Sequence, residues 1–156
     1  MTKYGAELKN ERTEFIQKIN EKITEVYRSI AENDDSVAVE YITEVESESG
    51  FLARLERDFE RDRCLGHTSF GVHRDNYEFL FNNIKADGSA SRGEVRSMVI
   101  ALKFIEAEMI VERMGKAPLV LLDDVFSELD EARQKCLVKN FQDNQVILTS
   151  VGDGRL

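Results

Sequence analysis

The chain predicts an α/β fold, in the form of an α+β fragment, and three observations carry that prediction. Two short apolar runs, Leu119-Val120-Leu121-Leu122 and Gln145 to Thr149 (QVILT), flank a segment with helical spacing. Strand, helix, strand in that order is the crossover unit of a parallel sheet. Upstream, amphipathic stretches with apolar residues every three, four or seven positions alternate with a β-rich stretch. The first apolar run also ends in adjacent acids, Asp123 and Asp124, at the carboxyl edge where open α/β sheets place their ligands.

Each element follows from its residues. Residues 6–31 carry Leu8, Phe15, Ile19, Ile23, Val26 and Ile30 as one apolar stripe among charged and amide side chains, which predicts a long helix ending at Glu32-Asn33-Asp34-Asp35. Residues 37–45 partly alternate apolar with polar and predict a half-buried strand. Ser49 is placed to cap a second helix marked by Phe51, Leu52, Leu55 and Phe59, whose run ERDFERDR reads as a solvated face laced by ion pairs. Residues 66–75, GHTSFGVHRD, read as a loop, and His67 and His73 lack a third ligand for a metal. Tyr77, Phe79 and Phe81 alternate in a strand, with Leu80 on its other face, and Asn82-Asn83 and Asp87-Gly88 signal turns.

Ser91-Arg92-Gly93-Glu94 precedes a helix marked by Met98, Leu102, Ile105 and Met109, with Gly115 beyond its end. Two readings fit that start: a capping box of Ser91 and Glu94, or a helix terminus that favours an anion. After Pro118, the run 119–122 reads as a strand buried on both faces. Ser127 is placed to cap a short helix with Leu129, Ala132 and Leu137 on one face, and Thr149-Ser150 puts two hydroxyls at the last strand's edge. Residues 152–156 read as a tail.

Composition narrows the function. The length fits one ordinary domain or a piece of a larger one. With 42% hydrophobic residues it can bury a core, yet a net charge of −9 and the lack of a Lys/Arg run oppose nucleic-acid binding by bulk attraction. Cys64 and Cys136 have no redox or metal spacing and read as small core residues. No signal peptide and no membrane-length apolar run is present, so a cytoplasmic location is expected.

Asp123-Asp124 admits two readings. One is an acidic turn before a capped helix. The other is a metal edge, because paired carboxylates repel unless something positive or protonated joins them. Magnesium takes such hard oxygen ligands and bridges to nucleotide phosphates, so Asp123 would serve the metal and Asp124 would orient or activate water.

The order Ser-x-Gly-Glu, helix, strand ending Asp-Asp, Ser-Glu-Leu-Asp, helix, strand resembles the C-terminal part of an ABC-type P-loop ATPase head. Within that class the chain most resembles the RecF family of bacterial recombination mediators. Gly71-Val72-His73-Arg74-Asp75 is close to that family's Gly-Pro-His-Arg-Asp, and LLDDVFSELD at 121–130 is nearly its own wording. Gly66-His67-Thr68-Ser69 and Tyr4-Gly5-Ala6 also fit its pattern, so the resemblance spans nearly the whole chain.

The resemblance implies roles residue by residue. Asp123 would match the Walker B acid that holds Mg²⁺, and Asp124 the catalytic carboxylate. Ser91, Arg92, Gly93 and Glu94 would match the signature that contacts the γ-phosphate of ATP held by the opposite subunit. Ser127 to Asp130 would match the D-loop at the dimer seam. Thr149 and Ser150 fall near the switch-histidine position of transporters, where no His stands.

Residues 1–63 would belong to an arm-like second lobe and residues 64–156 to the ATPase lobe. The intact protein would be an ATP-dependent homodimer acting on gapped DNA or single-strand/double-strand junctions with recombination mediator partners, and no membrane. No G-x-x-x-x-G-K-[ST] occurs, nor the expected glutamine loop, so the chain should hold the trans-acting part of an ATP site without its phosphate cradle. Alone it should neither hydrolyse ATP nor bind it tightly, and its cut sheet should expose edges and apolar surface. Another SMC-like or overcoming-lysogenization-type head, or a non-enzymatic domain on an ATPase scaffold, are the alternatives.

Overall fold

A computed structural model describes residues 2–123, 129–142 and 144–149. Helix α1 (Thr2–Ala31) comes first and runs through an interior free of proline and, beyond Gly5, of glycine. It buries Gly5, Ile16, Ile19, Ile23, Tyr27 and Ile30. Ile16 and Tyr27 thus stand in the buried stripe where the spacing put Phe15 and Val26, while Leu8 and Phe15 are exposed. Neighbouring helix positions differ by about 100° of rotation, so periodicity finds the stripe but the packed partners choose between adjacent apolar residues.

Strand β1 (Val37–Ile42) pairs antiparallel with β2 (Asn76–Phe81), Val37 opposite Phe81 and Ile42 opposite Asn76. A short β3 (Ile84–Lys85) closes a hairpin on β2 through Asn82 and Asn83, both at positive φ, which asparagine tolerates well. The free edge of β1 is covered by α1. Asn20 takes the Val39 N–H at 2.8 Å and donates to the Val39 carbonyl at 2.9 Å, and Thr24 donates to the Val37 carbonyl at 2.7 Å. These two side chains satisfy an edge that would otherwise template association.

Helix α2 (Glu48–Leu65) is capped by Ser47, whose Oγ accepts from Gly50 N at 3.1 Å, so Ser47 rather than Ser49 starts it. Gly66 at φ 75 ends it. Phe51 turns inward against Phe70 and Val45 to make a small second core. Gly5 lets the helices meet there, because a Cβ at that position would sit 2.3 Å from Phe51 Cε1. Cys64 falls on the solvent side of α2 and is exposed, not core, since α2 docks by one narrow face; Cys136 is part-buried at the edge of the main core.

Helix α3 (Arg92–Met114) buries Ser97, Met98, Ile100, Ala101, Phe104 and Ile105, a wider face than its spacing predicts, because α1 and α4 both pack on it. Strand β4 (Val120–Asp123), helix α4 (Glu131–Asn140) and strand β5 (Val146–Thr149) follow, and β4 pairs parallel with β5 in the register Val120–Val146 to Asp123–Thr149. The α4 cap is Asp130, three residues later than the expected Ser127. Ser127 itself, with Asp124, Ser150 and residues 152–156, lies outside the described residues, as does the side chain of Ala132.

Burial of β4 and β5 on both faces does not occur. Val120, Leu122 and Leu148 pack on the core, whereas Leu121 is 68% and Ile147 50% exposed. Two strands carry only one covered face here, since the alternation of a strand sends every second side chain away from α3 and α4. The main core draws on α1, β1, β2, α3 and α4 together, thus on both sides of position 63.

Candidate functional site

The parallel register brings the carboxyl ends of β4 and β5 together and sets Asp123 beside Thr149. Thr149 Oγ1 donates a hydrogen bond to Asp123 Oδ1. Asp123 is exposed and has no basic partner among the described residues. An open carboxylate with one oxygen oriented by a hydroxyl suits a hard cation such as Mg²⁺, which keeps water and phosphate oxygens as most of its ligands. Among the described residues no three acidic, His or Cys side chains cluster to hold a metal by themselves. A cation here would therefore need oxygens from a nucleotide, or from residues beyond those described.

The second candidate segment, Ser91 to Glu94, forms the first turn of α3. Its capping box is complete: Ser91 Oγ accepts from Glu94 N at 3.3 Å, and the Glu94 carboxylate accepts from Ser91 N. The box satisfies two donors and leaves the rest of the first-turn N–H groups without intrahelical acceptors. Ser91 and Arg92 are exposed. The capping reading is thus realised, and it is compatible with an anion approaching the same turn along the helix dipole.

Asp130 is exposed at the α4 cap, where its Oδ1 accepts from Arg133 N at 2.9 Å and its Oδ2 meets the Arg133 guanidinium. Arg133 Nε also donates to Ser97 Oγ at 2.8 Å, and the Ser97 hydroxyl donates back to the Gly93 carbonyl at 3.0 Å. Asp130 and Gly93, assigned to two different segments, are therefore joined by one chain of hydrogen bonds. Sequence reasoning missed Ser97 and Arg133. The available signal was local: Asp130 and Arg133 are an i,i+3 pair, and Ser97 is a polar residue on the apolar face of α3.

The loop 66–75 is held from below. The Asp75 side chain is 3% exposed, ion-paired with Arg12 Nη1 at 3.3 Å and hydrogen-bonded by the Tyr41 hydroxyl. Arg12 Nη1 also donates to the Val72 carbonyl at 2.6 Å. Burial, and then the bond to Asp75, push the Tyr41 phenol up. His73 and Arg74 remain exposed, and Gly71 at φ 135 permits the bend between Phe70 and Val72. The Arg-Asp pair thus splits, Asp75 serving the fold while Arg74 faces solvent.

The comparisons bear on the whole arrangement. No family model matches the chain. It is 34% identical over 158 residues to the DNA replication and repair protein RecF of Clostridium acetobutylicum, covering 99% of this chain and 44% of that protein. The RecF proteins of Clostridium novyi and Clostridium beijerinckii are 31% and 34% identical, over 97% of this chain and 43% of each.

Nearly the whole chain matches RecF proteins.

It corresponds to the C-terminal portion of a RecF protein and spans a little under half the length of the curated relatives it matches. A solved structure of the recombination mediator protein RecF with ATP, from the RecFOR pathway, superposes with a TM-score of 0.82 at 24% identity, over 99% of this chain and 44% of that one, which establishes the fold. A second RecF structure, with ATPγS, gives a TM-score of 0.78 at 26% identity over 97% of this chain and 43% of that one. The α/β arrangement with a parallel strand pair is thus that of a RecF head portion. Among the described residues no helix is long and apolar enough to cross a membrane.

Proposed function

We propose that this chain is the C-terminal portion of a RecF-like, ATP-dependent DNA-binding protein that acts in recombinational repair of gapped DNA and in recombinase loading. The single observation that supports the reading most is the RecF-like carboxyl edge, where Asp123 and Thr149 meet at the ends of parallel strands. In this reading Asp123 holds Mg²⁺, and Asp124 is the catalytic carboxylate. Ser91, Arg92, Gly93 and Glu94 touch the γ-phosphate of ATP bound by the opposite subunit, and Ser127 and Asp130 lie at the dimer seam. Mg²⁺ would supply charge neutralisation for the phosphates.

Residues 1–63 would be part of the arm-like lobe and residues 64–156 part of the ATPase lobe. The intact protein would be an ATP-dependent homodimer that closes on DNA with recombination mediator partners. The exposed face of Leu119, Leu121 and Ile147 is the surface such a head would cover with its remaining strands.

The test is calorimetric titration of Mg-ATP into this chain alone, and into the chain mixed with a separately made RecF N-terminal half carrying a Walker A loop. No heat alone and saturable heat from the mixture is the expected result. Saturable binding by the chain alone would overturn the half-site reading.

A further inference from the structure

We infer that Arg133 is a positioning residue that ties the first turn of α3 to Asp130, so that the Ser91–Glu94 segment and the α4 cap move as one unit. This rests on the nucleotide reading for its purpose, but the coupling itself is a property of this chain. The link runs Asp130 carboxylate, Arg133 guanidinium, Ser97 hydroxyl, Gly93 carbonyl, with Nε to Oγ at 2.8 Å and Oγ to carbonyl at 3.0 Å.

Three features make the link rigid. Ser97 is 0% exposed, so its hydroxyl has no water to fall back on if either partner leaves. The Arg133 side chain is only 23% exposed, and its planar fork fixes the angle between the two groups it serves. The Ser97 back-bond falls on the Gly93 carbonyl, in the very turn whose capping box presents Ser91 and Glu94. A displacement of Asp130 therefore pulls on Gly93 through three bonds and no flexible methylene chain beyond that of Arg133. In a head that uses both segments against one nucleotide, this link would make them engage together.

The experiment is amide hydrogen exchange on the 156-residue chain, read at Val95 to Met98 in α3. Asp130→Asn keeps a good helix cap but weakens the guanidinium pair. It should speed exchange at those amides about tenfold, a typical coupling of residues in one network. In an Arg133→Ala background the same Asp130→Asn change should produce no further increase, and Arg133→Lys should resemble Arg133→Ala because a compact ammonium lacks the spaced Nε and Nη1 donors that reach the two groups. Lys135→Ala, on the exposed side of α4, should leave the α3 amides unchanged.

Equal, additive effects of Asp130→Asn with and without Arg133 would overturn the inference, as would unchanged exchange in Asp130→Asn. If Arg133→Ala does not fold, Arg133→Lys supplies the second background. Failure of the assembled head to bind Mg-ATP would sink the nucleotide reading while leaving this exchange result standing.

Discussion

Thr149 stands opposite Asp123 in the parallel ladder and donates its hydroxyl to one carboxylate oxygen. A residue on the adjacent strand, twenty-six positions on in sequence, thus orients the acid proposed above to hold the metal. Thr149→Val keeps the shape and removes the donor. Because Asp123 and Thr149 are both exposed, stability should change by less than about 0.5 kcal/mol. Mg²⁺-dependent ATP turnover by the reassembled head should fall about tenfold, as for other partners that orient metal ligands. Titrating Mg²⁺ against turnover checks it, and an unchanged metal dependence would argue against the role.

Two glycines should respond oppositely to the same substitution. Gly5→Ala drives a Cβ into the Phe51 ring, which is 5% exposed and packed edge-on to Phe70, so the ring has nowhere to turn. The variant should lose about 1–3 kcal/mol. A Cβ at Gly93 would come no nearer than 4.0 Å to a neighbouring side chain, Ser91 Oγ, and the position sits within the first turn of α3, so Gly93→Ala should hold or gain up to about 1 kcal/mol. Urea unfolding of both variants tests the pair. Equal losses would contradict the packing assigned to Gly5.

The buried Asp75 is the anchor of the loop 66–75. Asp75→Asn should destabilise by about 2 kcal/mol, because the part-buried Arg12 guanidinium loses its charge partner and the Asp75 side chain that made the pair is 3% exposed. Tyr41→Phe, which removes one neutral donor to the same carboxylate, should cost about 1 kcal/mol. The double variant should cost less than the sum, since both changes act on one network. Thermal denaturation of the three proteins measures this, and strict additivity would show that the groups act separately.

Acid should erase a specific contribution from Asp62. The Ser69 hydroxyl, 2.7 Å from Asp62 Oδ1, holds its carboxyl below the usual carboxylate range. A depressed folded value means the contribution is complete above the unfolded value, near about 4, and is lost as pH falls through the folded value. The stability gap between the wild type and Asp62→Asn should be constant from about pH 5 to 7 and narrow below about pH 4. Asp58, lowered by Arg57, has the same sign but remains in both proteins. Denaturant midpoints across that range decide it; a gap independent of pH would remove Ser69 as the cause.

The elements themselves were legible because their signals are local. The α1 stripe, the Asn82-Asn83 turn, the Ser91–Glu94 capping box and the Gly115 terminus all follow from side-chain spacing or backbone freedom within a few residues. Ser47 replaced Ser49 and Asp130 replaced Ser127 as caps because several adjacent residues have suitable oxygens, and docking of the helix selects among them. The expected burial of β4 on both faces failed for a different reason, which holds for β5 as well. An apolar run records what a strand faces in its complete sheet, and Leu121 and Ile147 have no such cover among the described residues.

By itself the sequence determined the order of helices and strands, the acids at the end of β4, and the RecF likeness carried by LLDDVFSELD and GVHRD. Each of those is written in contiguous residues. Tertiary structure alone decided that Asn20 and Thr24 cover the edge of β1, that Asp75 turns inward while Arg74 does not, and that Arg133 reaches Ser97. Those contacts join residues from thirteen to sixty-three positions apart, and only the packing of α1, α3 and α4 around a shared core brings them within hydrogen-bond reach.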